Sequence, residues 1–152
     1  MSAWRRIAIE MMPALQKTIA AVDNPYGLWI ELRFEMNRVY EREPVDDALL
    51  ASIYGYGSWC LAEAHNAALA TAALVCFYEH LPTDPPIRAD VGRWLSAEDF
   101  NGLRNIFGYH LNEKDVDDFF QEFLAQKKTL AEGKRLTKRN EPKEAKPSKE
   151  CR

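Results

Sequence analysis

Residues 46–81 read DDALLASIYGYGSWCLAEAHNAALATAALVCFYEHL, and the reading of this stretch decides the fold. Leu50, Ile53, Tyr54, Gly57, Leu61, Ala64 and Ala68 recur at three- and four-residue steps, the period of one helical face. From Ala67 to Tyr78 every residue except Thr71 is apolar or aromatic. A run of about a dozen such residues is too short to cross a bilayer and fits a buried core helix. Gly55 and Gly57 each cost about 1 kcal/mol in a helix interior relative to alanine, tolerable where another helix packs closely or the helix bends. His65-Asn66 is the natural break. The spacing predicts two helices, about 46–64 and 66–80, with one continuous bent helix as the alternative. Pro82, Pro85 and Pro86 end the element, because proline removes an amide donor and clashes with the preceding turn.

Toward the amino end, Trp4, Ile7, Met11, Leu15, Ile19 and Val22 mark a helix over 3–22, which Pro13 must kink or restart. Asn24-Pro25 starts a second helix, a capping side chain followed by proline at the first helical position. It runs to about Arg42, with Leu28, Leu32, Met36 and Val39 or Tyr40 inward and Trp29 and Phe34 beside them. Glu31, Arg33, Glu35, Arg38, Glu41 and Arg42 form the expected wet face. Glu35 and Arg38 are placed to pair at three residues.

Toward the carboxyl end, Ile87–Leu95 is ambiguous, with a short helix ending at Trp94 as one reading. Ser96-Ala97-Glu98-Asp99 resembles a capping box. The helix it opens carries Phe100, Leu103, Ile106 and Phe107 and stops at Gly108. Asn112-Glu113-Lys114-Asp115 begins the last helix, with Val116, Phe119, Phe120, Phe123 and Leu124 as its apolar face. No stretch alternates as a strand should. The expected fold is all-α: a single-domain helical bundle of five to seven helices over residues 1–132, followed by a disordered basic tail over 133–152. Trp59 is expected in the core.

The tail holds eight Lys or Arg against three Glu, a net of +5, while residues 1–132 hold 12 against 20, a net of −8. An acidic body lacks the basic footprint of a nucleic-acid-binding domain. Contact with nucleic acid is expected only through the tail, and only non-specifically, since it has no aromatic residue to stack on bases. Three cysteines argue against a disulfide framework. The first residues lack a secretory apolar region and no segment reaches the length of a membrane span, so the expected location is the cytoplasm with reduced thiols.

No G-x-S-x-G, H-E-x-x-H, Walker A or C-x-x-C motif is present. Gly55-Tyr56-Gly57 lacks the third glycine of a dinucleotide loop and lies in a helical pattern. Cys60 and Cys76 sit in apolar surroundings, where a thiol acts as a small hydrophobe. No metal or cofactor is expected: His65 and His80 are 15 residues apart, about 22 Å along one helix, and neither Glu63 nor Glu79 has a histidine three residues on. Glu79 pairing with an arginine and His80 capping a helix end are the bland readings. Any binding site is expected near Tyr54, Trp59, Glu63, Glu79, His80 and His110, with no catalytic residue assigned.

The pieces Trp59-Cys60-Leu61, Phe77-Tyr78-Glu79-His80-Leu81 and Trp94-Leu95 resemble a small helical family of bacterial proteins of unknown function, over roughly residues 10–125. The resemblance implies a small helical cytoplasmic domain and, by analogy of fold, a partner or immunity protein for a toxin. The leading expectation is a non-enzymatic protein-interaction module, possessing a regulatory or immunity role toward another protein. The alternative is a small metal-dependent hydrolase using Glu79, His80 and a third group such as His110, or a small-molecule sensor at the same cluster.

Overall fold

The computed structural model describes residues 1–62 and 66–140, and side chains through residue 138. The described residues form α-helices and short 3₁₀ turns, with no strand among them. The order is α1 (Ala3–Met11), a 3₁₀ turn (Pro13–Leu15), α2 (Gln16–Ala21), α3 (Pro25–Tyr40), α4 (Asp47–Ala62), α5 (Ala67–Cys76), a 3₁₀ turn (Tyr78–His80), α6 (Pro85–Arg88), a 3₁₀ turn (Val91–Arg93), α7 (Ala97–Phe107) and α8 (Glu113–Asn140). The eight α-helical segments outnumber the apolar stripes because Pro13 divides the first and the Pro82–Pro86 run yields the one-turn α6.

Polar side chains start most of these helices by accepting amide hydrogens that no helical carbonyl can take. Asn24 accepts from Gly27 N at 3.0 Å, Asp46 from Leu49 N at 3.0 Å, and Asn66 from Leu69 N at 3.2 Å. Asn112 accepts from Asp115 N at 2.8 Å. Ser96 and Asp99 close a full capping box, each side chain taking the other's amide at 3.0 Å. Asn66 has non-helical backbone angles, so α5 begins afresh there, as the two-helix reading expects; it ends at Cys76, short of the expected 80, where Phe77 leaves the helical region and a 3₁₀ turn follows. Pro13 restarts the first helix after Met12 leaves the helical region.

Trp29 is the centre of the core. It is fully buried, stacks on Phe77 with ring centroids 4.7 Å apart, and meets Tyr56 at 5.4 Å. α3 packs against α5 there, and α4 closes over both. Gly57 is where α4 comes closest to the Tyr78–His80 turn: a β-carbon there would stand 2.7 Å from Tyr78 Oη and 3.3 Å from Phe77 Cε1. Gly55 is less constrained, facing only the flexible end of Met11 at 3.1 Å. A second aromatic layer of Phe100, Phe107, Phe119 and Phe123 joins α7 to α8.

α8 is fastened to the 82–95 segment by polar bonds as well. Arg88 makes a two-pronged pair with Glu122 at 2.7 and 2.8 Å and lies 4.9 Å from the Phe119 ring. Gln126 accepts from Gly92 N at 2.6 Å and donates to Arg88 O at 2.9 Å. Gly92 has to be small, since a β-carbon would sit 2.6 Å from Gln126 Cβ.

Three expectations need correcting. Trp59 is half-buried, packed on the Tyr56 ring at 5.7 Å at the margin of the core, because Tyr56 takes the interior place beside Trp29. Glu35 is not on the wet face: it is buried and paired with Arg38, and Arg33 is half-buried in a pair with Asp84 at 3.2 Å. The boundary at 133 dissolves, because α8 runs through Gly133 to Asn140. Its residues 131–138 are all exposed, Leu136 included, so nothing is packed there. Lys, Arg, Leu, Ala and Glu favour helix without burial, and extending an anchored helix needs no new nucleus. The rest of the tail, 141–152, with its expected disorder, lies outside the described residues.

Candidate functional site

The site is built on a 3₁₀ turn held by its neighbours. Phe77, Tyr78 and Leu81 are all buried and pin the turn to the core on both sides. His80 N donates to Phe77 O at 3.1 Å and Leu81 N to Tyr78 O at 3.2 Å. With the apolar side chains turned inward, Glu79 and His80 are left at the half-buried rim. α7 packs on this turn. Past its last residue, the buried Phe107, the chain bends at Gly108 and brings His110 over Glu79.

His110 Nε2 lies 3.1 Å from Glu79 Oε1, and His80 Nε2 lies 3.4 Å from the same oxygen. The two imidazole rings are 4.6 Å apart, tilted by 35°. One donor atom from each of the three side chains falls within 4.8 Å of the others. The Arg33–Asp84 pair and the Cys76 thiol border the cluster: Arg33 acts on the charge of both His80 and Cys76. Burial pushes the Cys76 thiol up, Glu79 adds to that, and Arg33 opposes it. Burial likewise raises Cys60, to about 11, so neither thiol is primed as a nucleophile at neutral pH.

Burial pushes the His80 imidazole below the usual histidine value of 6.5. Arg33 and then His110 add to the push, while Glu79 and Asp84 oppose it. The unfolded chain therefore binds this proton more tightly than the folded chain. The His80 contribution to stability is complete above pH ~6.5 and is lost as pH falls from there through the folded value. His80→Gln, which cannot titrate, is expected to lose less melting temperature than the wild type between about pH 7.5 and about pH 5.5. Equal losses in the two proteins place the acid sensitivity elsewhere.

The residues expected at one site thus separate. Glu79, His80 and His110 converge. Tyr54 belongs to the core, stacked on Trp94 at 5.5 Å and edge-on to Phe77 at 5.4 Å, its hydroxyl without a hydrogen-bond partner. Trp59 packs on Tyr56. Glu63 lies outside the described residues.

Two further features escaped the sequence. Asp90 gathers four hydrogen bonds: Tyr40 Oη donates at 2.6 Å, Trp94 Nε1 at 3.1 Å, Arg93 Nε at 2.6 Å and Arg93 Nη2 at 2.8 Å. Nothing in the Asp-Val-Gly-Arg-Trp run announces that hub, since Tyr40 arrives from 50 residues away. The other feature is on α3, where Tyr26, Ile30 and Phe34 are 40%, 47% and 54% exposed, so Phe34, expected beside the inward residues, points outward instead, one turn from Ile30. Their four-residue spacing was a usable signal, because it sets them on one side of the helix.

No helix among the described residues is long and apolar enough to cross a membrane. Comparison with protein-family models, with curated proteins and with solved structures finds no match for this chain, so the resemblance to small helical bacterial proteins gains no family from it.

Proposed function

We propose that the chain is a non-enzymatic protein-interaction module whose contact surface is the outer face of α3. The observation that supports this reading is the Tyr26–Ile30–Phe34 stripe. Its opposite face, Leu28, Leu32, Met36 and Val39, is fully buried, so the helix is apolar on two sides. Scattered exposed apolar residues need no explanation, but large ones in line mark a contact surface. Helices presenting such rows dock into apolar grooves, with every fourth residue as an anchor. The net charge of −8 over residues 1–132 favours a basic partner, by complementarity and by faster encounter. The same reading extends to an immunity or regulatory role in the cytoplasm, with which the free thiols of Cys60 and Cys76 agree.

The test is a pair of surface changes, Ile30→Glu with Phe34→Asp. A partner captured by the wild type is identified, produced alone and titrated. The double variant is expected to bind at least ~30-fold more weakly, the effect of losing about 2 kcal/mol at anchor positions. Undiminished binding removes α3 as the contact surface. Concentration-dependent self-association of the wild type that the double variant lacks replaces the foreign partner with a second copy.

A second reading is a small metal-dependent hydrolase or small-molecule sensor at Glu79 and His80. The observation favouring it is the arrival of His110 beside them. Turnover by the wild type that Glu79→Gln abolishes is the result that promotes it over the interaction module.

A further inference from the structure

We infer that Glu79, His80 and His110 form a binding site for one divalent transition-metal ion of the zinc class. The inference asks for binding alone, stands whether or not α3 docks a partner, and shares with the hydrolase reading only its three side chains.

The chemistry of the donor set comes first. Two imidazoles and one carboxylate suit zinc, cobalt, nickel or ferrous iron and are a poor match for calcium or magnesium, which take oxygen ligands. Separation comes second. Bonds of about 2.0–2.1 Å in a tetrahedral shell put neighbouring donor atoms about 3.3 Å apart. The Glu79 oxygen stands 3.1 and 3.4 Å from the two Nε2 atoms, close to that spacing before any adjustment. A simple ion-paired histidine needs one carboxylate contact; here two imidazoles bring Nε2 within 3.4 Å of one oxygen.

Support from the fold comes third. Glu79 and His80 are adjacent on a turn clamped by buried Phe77, Tyr78 and Leu81, so two of the three ligands are set before an ion arrives. His110 enters from the α7–α8 connection and its side chain is 34% exposed, leaving a way in from solvent. Charge is favourable as well. The carboxylate offsets half of a divalent charge, and Arg33, which acts on His80, is itself paired with Asp84 at 3.2 Å. Three protein ligands leave a fourth position for water, as in open zinc sites.

The experiment titrates the full chain, freed of metal by chelator, with zinc(II) in competition with a chromophoric chelator, and separately with cobalt(II) followed by visible absorption. One ion per chain is expected, with the cobalt spectrum of a four- or five-coordinate site. Ring-carbon NMR signals of His80 and His110 should shift together with zinc. His110→Ala changes an exposed side chain, and its folding is checked by circular dichroism. It and Glu79→Gln are each expected to weaken binding by more than the ~10–100-fold that follows loss of an outer hydrogen-bond partner of a metal ligand. Absence of one-to-one binding by the wild type overturns the inference. So does binding that both variants retain, which would put the ion elsewhere on the chain. Zinc that leaves the two histidine signals unmoved reduces the cluster to two histidines beside a carboxylate.

Discussion

A Trp29→Ala protein is expected to lose about 3–5 kcal/mol of stability, the range for truncating a buried tryptophan. Against the roughly 5–15 kcal/mol that holds a domain of this size together, that is about a fifth or more. The reason is position. Trp29 has no exposed surface, and its ring is the one that α3 sends between Phe77 and Tyr56. Removing it opens a cavity where three helices meet, and α5 cannot close it without dragging Phe77 off Tyr54, 5.4 Å away. The indole N–H finds no acceptor stronger than the nearby Cys60 sulfur, so the contribution is mainly one of packing. Trp29→Phe should therefore recover most of the loss. Trp59→Ala provides the contrast: Trp59 lies half-buried on the outer side of Tyr56, and its truncation should cost much less. Urea denaturation of the three variants checks the order. A Trp59→Ala protein less stable than Trp29→Ala would reverse the assignment of the two rings.

That pair of tryptophans shows where the sequence was legible and where it was not. The pattern placed both on helices and near the core, but it cannot rank two aromatic residues on different helices. Rank depends on which ring a second helix meets, a tertiary fact. Helix starts were legible because capping is local: Asn24, Asn66 and Ser96 act within three residues of themselves. Gly57 was legible in kind, as a place where another element must come close, though not in partner, which is Tyr78. Glu79 and His80 were visible as a titratable pair beside a proline turn. Testing them against i, i+3 and i, i+4 ligand spacing assumed a regular helix. The 3₁₀ turn breaks that assumption, since it lets two consecutive side chains face one histidine 30 residues further along the chain. The end of α8 was misplaced for a related reason: composition reports whether a segment can bury surface, and an exposed extension of an anchored helix has no need to.

Asp90→Ala is expected to be the most damaging change to a polar side chain among the described residues, at about 3 kcal/mol. That is the low end of the ~3–5 kcal/mol seen when one partner of a buried ion pair is removed, because 21% of the Asp90 side chain is exposed. Three different segments rely on this carboxylate. Tyr40 brings the end of α3, Trp94 brings the start of the 94–96 connection, and Arg93 brings the amino end of α4 through its second bond, to Asp47 at 2.8 Å. Alanine leaves the Tyr40 hydroxyl without an acceptor in a half-buried place and takes the Trp94 N–H off its carboxylate, and an unpaired donor costs more than its bond was worth. Arg93 keeps Asp47 and stays near the Trp94 ring, 4.8 Å from its centroid, so part of the arrangement survives. Asp90→Asn separates charge from shape. Its one oxygen cannot serve all four donors, and its amide adds two more, so it should recover less than half of the loss. Tyr40→Phe, which removes a single hydroxyl and leaves the carboxylate with its other three bonds, should cost about 1 kcal/mol. Chemical denaturation of the set checks the ranking. If Asp90→Ala and Tyr40→Phe cost the same, Asp90 serves one bond and not a junction of three segments.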